Sequence, residues 1–206
     1  MGTKQRRERE KEALRQEILD AARELFVKEG YQSVSMRRIA EKIEYSPTTI
    51  YLYFKDKTEL LFSLCEETFA ILASHCETLL KDSSDPVSTL RSMCRGYVNF
   101  GLEHPNHYII TFVMPLQHME GGENLQGRKN EKSQGTKAFG LLRASVEECV
   151  KQKKFREVDV DTASQVVWAA IHGVTSLLIG HPKFAWVDRP RLVNLMIDTT
   201  IEGLRA

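Results

Sequence analysis

The chain has 206 residues, 42% hydrophobic and 28% charged, enough to bury a sizeable core as one large domain or two small ones. Its 29 Lys and Arg stand against 28 Asp and Glu, a formal net charge of +1, so bulk charge gives no reason to expect a polyanion partner. Four scattered cysteines without a C-x-x-C pair argue against a disulfide framework and read as reduced, buried thiols of a cytoplasmic protein.

The charge is uneven only at the start, where KQRREREK at positions 4 to 11 sets five basic residues against two acidic ones; this reads as a solvated helix start within reach of phosphates. No apolar stretch follows it, so a secretory signal is not expected. From Arg9 to Glu29, Leu14, Ile18, Ala22, Leu25 and Phe26 recur at three and four, the period of a helix, and Gly30 is placed to end it in a left-handed cap. Ser35 caps a short second helix with Ile39, Ala40 and Ile43 inward and Arg37 and Arg38 outward, ending near Glu44 and Tyr45. Ser46 is a favoured N-cap and Pro47 suits the first helical position, so a third helix runs from Pro47 to Leu52. It is interrupted at about Tyr53 to Lys55. Asp56 with Glu59 three residues on then opens a long fourth helix, whose stripe of Leu60, Leu61, Leu64, Cys65, Thr68, Ile71, Leu72 and Leu79 runs to about Leu80.

A third helix of so few residues cannot persist alone, since isolated helices below roughly 12 residues are marginal. Ile50 and Phe54 share a face that can pack on Ile39 and Leu25, leaving Thr48, Thr49, Leu52 and Tyr53 on or near the exposed side. Two short helices with a tight turn, braced by a third and presenting the N-terminus of the second, have the geometry of a helix-turn-helix DNA reader. Thr48, Thr49 and Leu52, at the helix opened by Pro47, suit base edges and thymine methyls; Ser35, Ser46, Tyr51, Tyr53, Lys55 and Lys57 suit the sugar-phosphate backbone, and Arg37 suits either.

The stretch RRIAEKIEYSPTTIYLYFKDKTEL resembles the signature of the TetR family of bacterial transcriptional regulators, and the match spans about residues 10 to 62. Ile39-Ala40, Ser46, Thr49-Ile50-Tyr51, Tyr53-Phe54, Lys57 and Leu60 carry it. One departure stands in the turn: the family usually has Ala-Gly-Val before the Ser, where this chain has Ile43, Glu44 and Tyr45, so Glu44 occupies a glycine's place.

Beyond Pro86, helical segments are expected at about 86 to 103, 105 to 114, 136 to 154, 159 to 180 and 189 to 204, with a Gly-rich loop at 119 to 135. Residues 162 to 182 carry no Lys, Arg, Asp or Glu, yet Ser164, Gln165, His172, Thr175, Ser176 and His181 make the stretch too polar for a lone membrane span; it reads as a helix buried on both sides. Within it Trp168, His172 and Gly173 resemble a Trp-His-Gly signature that marks one subgroup of the family's C-terminal domains.

The resemblance implies an all-α protein, with a DNA-binding domain at 1–55 and a helical effector-binding and dimerisation domain at 56–206. It further implies a homodimeric repressor, released from a palindromic operator in double-stranded DNA by a small, mostly apolar effector. The effector cavity would be lined by Tyr97, Phe100, Tyr108, Phe112, Met114, Phe139, Trp168 and His172. The dimer face is expected on the uncharged helix and the last one, at Val174, Leu178, Leu192, Leu195, Met196 and Thr199. No cofactor is implied. Glu103, His104 and His107 lack the HExxH or CxxC frame of a metal site, and no nucleophile elbow or phosphate-binding glycine loop suggests an enzyme. The alternative is an α-helical small-molecule binding protein or enzyme whose helix-turn-helix is structural only; DNA affinity that falls steeply with salt separates the two.

Overall fold

The computed structural model describes residues 3–82, 85–114 and 133–206. In chain order these form α1 (Thr3–Glu29), α2 (Met36–Lys42), α3 (Pro47–Tyr51), α4 (Lys57–Asp82), α5 (Pro86–Glu103), α6 (Pro105–Tyr108) continued by a π-helical turn (Ile109–Val113), α7 (Gln134–Lys151), α8 (Val160–Gly180) and α9 (Arg189–Glu202). Among the described residues the β pairing is a single bridge between Phe155 and Arg205. The fold is all-α.

Local chemistry sets the helix ends. Ser35, Ser46, Asp85, Ser133, Asp159 and Asp188 each stand at an N-cap and accept the N–H three residues on, satisfying a donor that the first turn leaves unpaired. Gly30 closes α1 with φ +83°, its N–H donating to the Phe26 carbonyl at 3.0 Å. The expected helix at 136 to 154 begins earlier, at the Ser133 cap, and stops at Lys151. The stop is a left-handed turn: Lys153 has φ 54°, and the N–H groups of Lys153 and Lys154 return to the carbonyls of Val150 and Cys149, both at 2.9 Å. The expected segment at 105 to 114 is one α turn followed by the π turn. Of the Gly-rich stretch at 119 to 135, positions up to 132 lie outside the described residues, and Gln134 and Gly135 belong to α7.

The chain divides into two compact units, and the division falls inside α4 after Glu67. The first comprises residues 3–67 with the segment from Asn106, and its core joins Ile18, Leu25 and Phe26 of α1 to Ile39 of α2, Ile50 of α3, Phe54, and Leu60, Leu61 and Leu64 of α4, with Ile110 added. Arg23, buried on α1, is paired with Glu67 of α4 and with Asp20 at 2.5 Å, so its charge is compensated.

The second unit comprises 68–105 and the chain from Asn130. Its core draws Val87, Leu90, Cys94 and Val98 from α5, Leu142, Val146 and Cys149 from α7, Val167, Ile171, Val174 and Leu178 from α8, and Val193, Ile197 and Ile201 from α9. Arg91 of α5 ties α9 through Asp198 and Glu202, and Arg143 of α7 pairs with Asp161 of α8 at 2.6 Å. All four cysteines are free thiols, and burial pushes Cys65 and Cys94 up to about 12, so these two stay protonated and unreactive at neutral pH. Ile71, expected in the inward stripe of α4, is exposed, while Leu72 and Ala73 take the buried positions.

Candidate nucleic-acid interface

Helix α3 is five residues long and is held by what surrounds it. At its start, Ser46 Oγ accepts the Thr49 N–H at 3.2 Å and lies 2.9 Å from Thr49 Oγ1, so one of the two hydroxyls donates to the other. At its end, the N–H groups of Tyr53 and Phe54 reach the Ile50 carbonyl at 2.9 and 3.0 Å. Ile50 and Phe54 are 0% and 2% exposed, packed with Ile39 and Leu25 as their spacing predicted. The opposite side faces water: Thr48 is exposed, Tyr51 is 55% and Leu52 76% exposed, while Thr49 and Tyr53 are half-buried. Leu52 thus stands exposed beside the hydroxyls of this helix.

The turn between α2 and α3 carries strain. Glu44 has φ 60°, the left-handed conformation that glycine adopts without cost. The geometry is a Schellman motif, with the Tyr45 N–H on the Ala40 carbonyl at 3.0 Å and the Glu44 N–H on the Glu41 carbonyl at 3.3 Å. The turn that a glycine would supply therefore forms with Glu44 in its place, which keeps α3 at the angle α2 sets.

Around α3, Ser35 is exposed at the α2 N-cap and accepts the Arg38 N–H at 3.1 Å. Arg37 projects into solvent with a 3.3 Å ion pair to Glu41, and Pro47 and Lys55 are exposed. Lys57 is placed differently from the expectation that it meets the DNA backbone. Its Nζ donates to the carbonyls of Tyr31 and Val34, both at 2.8 Å, and sits 4.2 Å from the centre of the Tyr31 ring. It braces the α1–α2 connection against the first turn of α4. Asp56 opens α4 as its pattern predicted, accepting the Glu59 N–H at 2.7 Å, and Glu59 reaches back to the Lys55 N–H at 2.6 Å.

In the second unit, four of the residues expected around an effector come together. Tyr97 Oη lies 3.3 Å from His172 Nδ1, the Trp168 ring centre is 6.1 Å from that of His172 and 6.0 Å from that of Phe139, and all four side chains are at most half-buried. Burial holds the His172 imidazolium pKa below its usual value, favouring the neutral ring that can accept from Tyr97. Phe100 is buried, with its ring centre 5.1 Å from that of His104. Tyr108, Phe112 and Met114 belong instead to the first unit, where Tyr108 is fully buried, with its ring centre 5.0 Å from that of Phe112.

The expected dimer face needs correction at two positions. Val174 and Leu178 are 9% and 2% exposed and lie within this chain's own core, because the buried arc of α8 runs through Ala163, Val167, Ile171, Val174 and Leu178 at three and four. Helix α8 is thus buried on one side only. Its other side presents Val166, Ala169, Gly173 and Leu177, a face the uncharged composition announced without indicating which residues it holds. On α9, Leu195 is 62% exposed, Thr199 is exposed, and Leu192 and Met196 are half-buried against the core.

The family model described as bacterial regulatory proteins of the tetR family matches residues 18–64, and one described as a tetracyclin repressor-like C-terminal domain matches residues 90–200, more than half of the chain. The chain belongs to the TetR family. The fatty acid metabolism regulator protein of Bacillus subtilis (strain 168) is 25% identical over 190 residues, 91% of this chain and 94% of the relative. The nucleoid occlusion factor SlmA of Enterobacter sp. (strain 638) is 28% identical over 156 residues, 75% of each. Among solved structures, the transcriptional regulator FadR from Bacillus subtilis in complex with stearoyl-CoA superposes with a TM-score of 0.79 at 22% identity, covering 92% of this chain and 99% of that one. The protein is accordingly a TetR-family transcriptional regulator, with an N-terminal helix-turn-helix and a helical C-terminal domain, and its relatives are regulators. Helices α2 and α3 lie inside the segment matched at 18–64, and what sequence reasoning missed is the anchoring of Lys57 and the outward stripe of α8. The first was hidden because a lysine's partner carbonyls, 23 and 26 residues away, leave no mark on local spacing.

Proposed function

We propose that the protein is a homodimeric repressor of the bacterial cytoplasm, in which residues 1–55 read a palindromic operator and residues 56–206 hold an amphipathic small-molecule effector and the dimer contacts. The observation that supports the reading is α3, a five-residue helix buried on the Ile50 side with Thr48 and Leu52 exposed and Thr49 half-buried, and these three meet base edges. Ser35, Arg37, Ser46, Tyr51, Tyr53 and Lys55 flank it as backbone contacts, and Lys57 acts through the turn it braces.

The dimer forms through the outward side of α8, Val166, Ala169, Gly173 and Leu177, together with Leu195 and Thr199 of α9. Pairing two such helices from each subunit makes a four-helix contact and removes from water the apolar side that this chain leaves uncovered. The effector lies at Tyr97, Phe139, Trp168 and His172, aromatic surface for an acyl chain and a Tyr–His pair for its polar end. A long-chain acyl thioester is the class that the likeness to the stearoyl-CoA-bound regulator supports. Helix α4 is shared by both units, so a tilt of its far half changes the separation of two reading helices that must stand about 34 Å apart on the duplex. The effector favours the DNA-incompetent state by a coupling of about 1–3 kcal/mol.

The test is selection of duplexes from a random library by the full chain, followed by titration of the winning duplex with stearoyl-CoA and with coenzyme A alone. Release by the thioester and not by coenzyme A is expected, and saturating duplex must weaken thioester binding by the same factor. No enriched duplex, or a thioester affinity indifferent to DNA, would refute it.

A further inference from the structure

Helix α1 begins at Thr3, so the basic segment KQRREREK is a continuation of the helix rather than a loose tail. Within it Lys4, Arg7 and Lys11 recur at three and four, and Arg15 and Ile18 continue the same face. From Ile18 onward that face is packed into the core, Leu14 is the first residue of α1 to pack against it, and residues 4–13, with Lys4, Arg7 and Lys11 among them, are exposed. Arg15 marks the change: its Cζ lies 5.2 Å from the centre of the Phe54 ring, the ring that follows α3 directly. The basic stripe therefore leaves the core beside the C-terminal end of the reading helix, where Tyr51, Tyr53 and Lys55 stand. Off the stripe, Arg6 pairs with Glu10 at 2.7 Å, and Arg9 Nε donates to the Gln5 carbonyl at 3.4 Å. These contacts leave the charge of the stripe itself directed outward.

From these positions we infer that Lys4, Arg7 and Lys11 form a second phosphate-binding edge, gripping the duplex outside the bases that α3 reads. This rests on the reading of α3 as the DNA-contacting helix. The protein has a net charge of only +1, so neutralisation of phosphates has to come from local arrays, and this is one whose three charges lie in a row on one helix. At about 1.5 Å per residue the stripe from Lys4 to Lys11 is about 10 Å long, and the same length of duplex axis carries about six phosphates. Such contacts hold no sequence information, so the edge sets affinity and salt dependence while α3 sets the site.

The experiment compares wild type, K4Q/R7Q/K11Q and the charge-keeping K4R/R7K/K11R on the duplex recovered by selection, once with long flanks and once trimmed flush with the half-sites. Glutamine is as good a helix former as lysine, and circular dichroism confirms that the helix persists. On the flanked duplex the glutamine variant is expected to bind more weakly, with the slope of log affinity against log salt shallower by about 0.9 for each phosphate left without its cation, or about 3 per subunit. Its half-site preference stays unchanged, the charge-keeping variant behaves as wild type, and trimming the flanks removes the difference. If wild type binds its selected duplex and the glutamine variant keeps the same slope, or is weakened equally on trimmed DNA, the phosphate edge is overturned while the α3 reading stands. A wild-type chain that enriches no duplex overturns both.

Discussion

Replacing Lys57 by Met separates two roles that a lysine beside a reading helix can have. The ammonium donates to two carbonyls at 2.8 Å and lies 4.2 Å from the Tyr31 ring centre, and the side chain is half-buried. A charge-assisted hydrogen bond is worth about 1.5–3 kcal/mol when shielded from water, and half-exposure reduces that to roughly half. Two such bonds and a cation–π contact of about 0.5–1 kcal/mol therefore put the loss at about 2–4 kcal/mol. Methionine keeps the apolar stem, so the change isolates the charge. For a chain of this size each kcal/mol moves the midpoint by about 2–4 °C, so thermal unfolding followed by circular dichroism should show a fall of about 4–16 °C. The salt slope of DNA binding, measured well below the midpoint, should not change. A midpoint within a degree of wild type, together with a slope shallower by about 1, would mean that Lys57 holds a phosphate and that the turn at 31–34 supports itself.

Glu44→Gly relieves the left-handed backbone at φ 60°, which costs a non-glycine residue about 1–2 kcal/mol, against about 0.4–1 kcal/mol of added chain entropy in the unfolded state. A midpoint raised by a degree or two is expected, and Glu44→Val should lower it; equal midpoints for the two variants would show that the turn is indifferent to its backbone angle. A Cβ added at Gly173 meets nothing within 4 Å in the protomer, so the position has room to grow outward, and Gly173→Leu should fold normally yet sediment as a monomer with weak operator affinity. By contrast, Val174→Asp should unfold the chain itself, since its side chain lies in the protomer core; a dimeric Gly173→Leu would place the interface elsewhere. Because burial lowers the His172 pKa, the unfolded chain binds this proton first. Stability from the neutral ring is complete above about pH 6.5 and is lost as pH falls from there through the folded value. The midpoint of His172→Gln should fall less than that of wild type between pH 7.5 and pH 5.5, and parallel curves would remove His172 from the balance.

The sequence by itself determined where the helices lie and how α2, α3 and α4 are opened. Ser35, Ser46 and Asp56 cap through atoms of their own neighbourhood, and the spacing of Ile50 and Phe54 fixed which side of α3 is buried, because capping and helical periodicity are local properties. It also marked Glu44 as the anomaly in the turn. What only the tertiary structure decided depends on partners distant in sequence. The uncharged stretch at 162 to 182 is apolar on nearly every side, so composition could not tell Val174 and Leu178, which face α5, α7 and α9 in the core, from Val166 and Leu177, which face outward. The split of the expected effector residues, with Tyr97, Phe139, Trp168 and His172 together and Tyr108, Phe112 and Met114 in the other unit, has the same cause. An aromatic side chain announces burial or contact by its chemistry, but which other rings it meets is fixed by how helices pack, and helix packing is set by contacts that no local window of sequence contains.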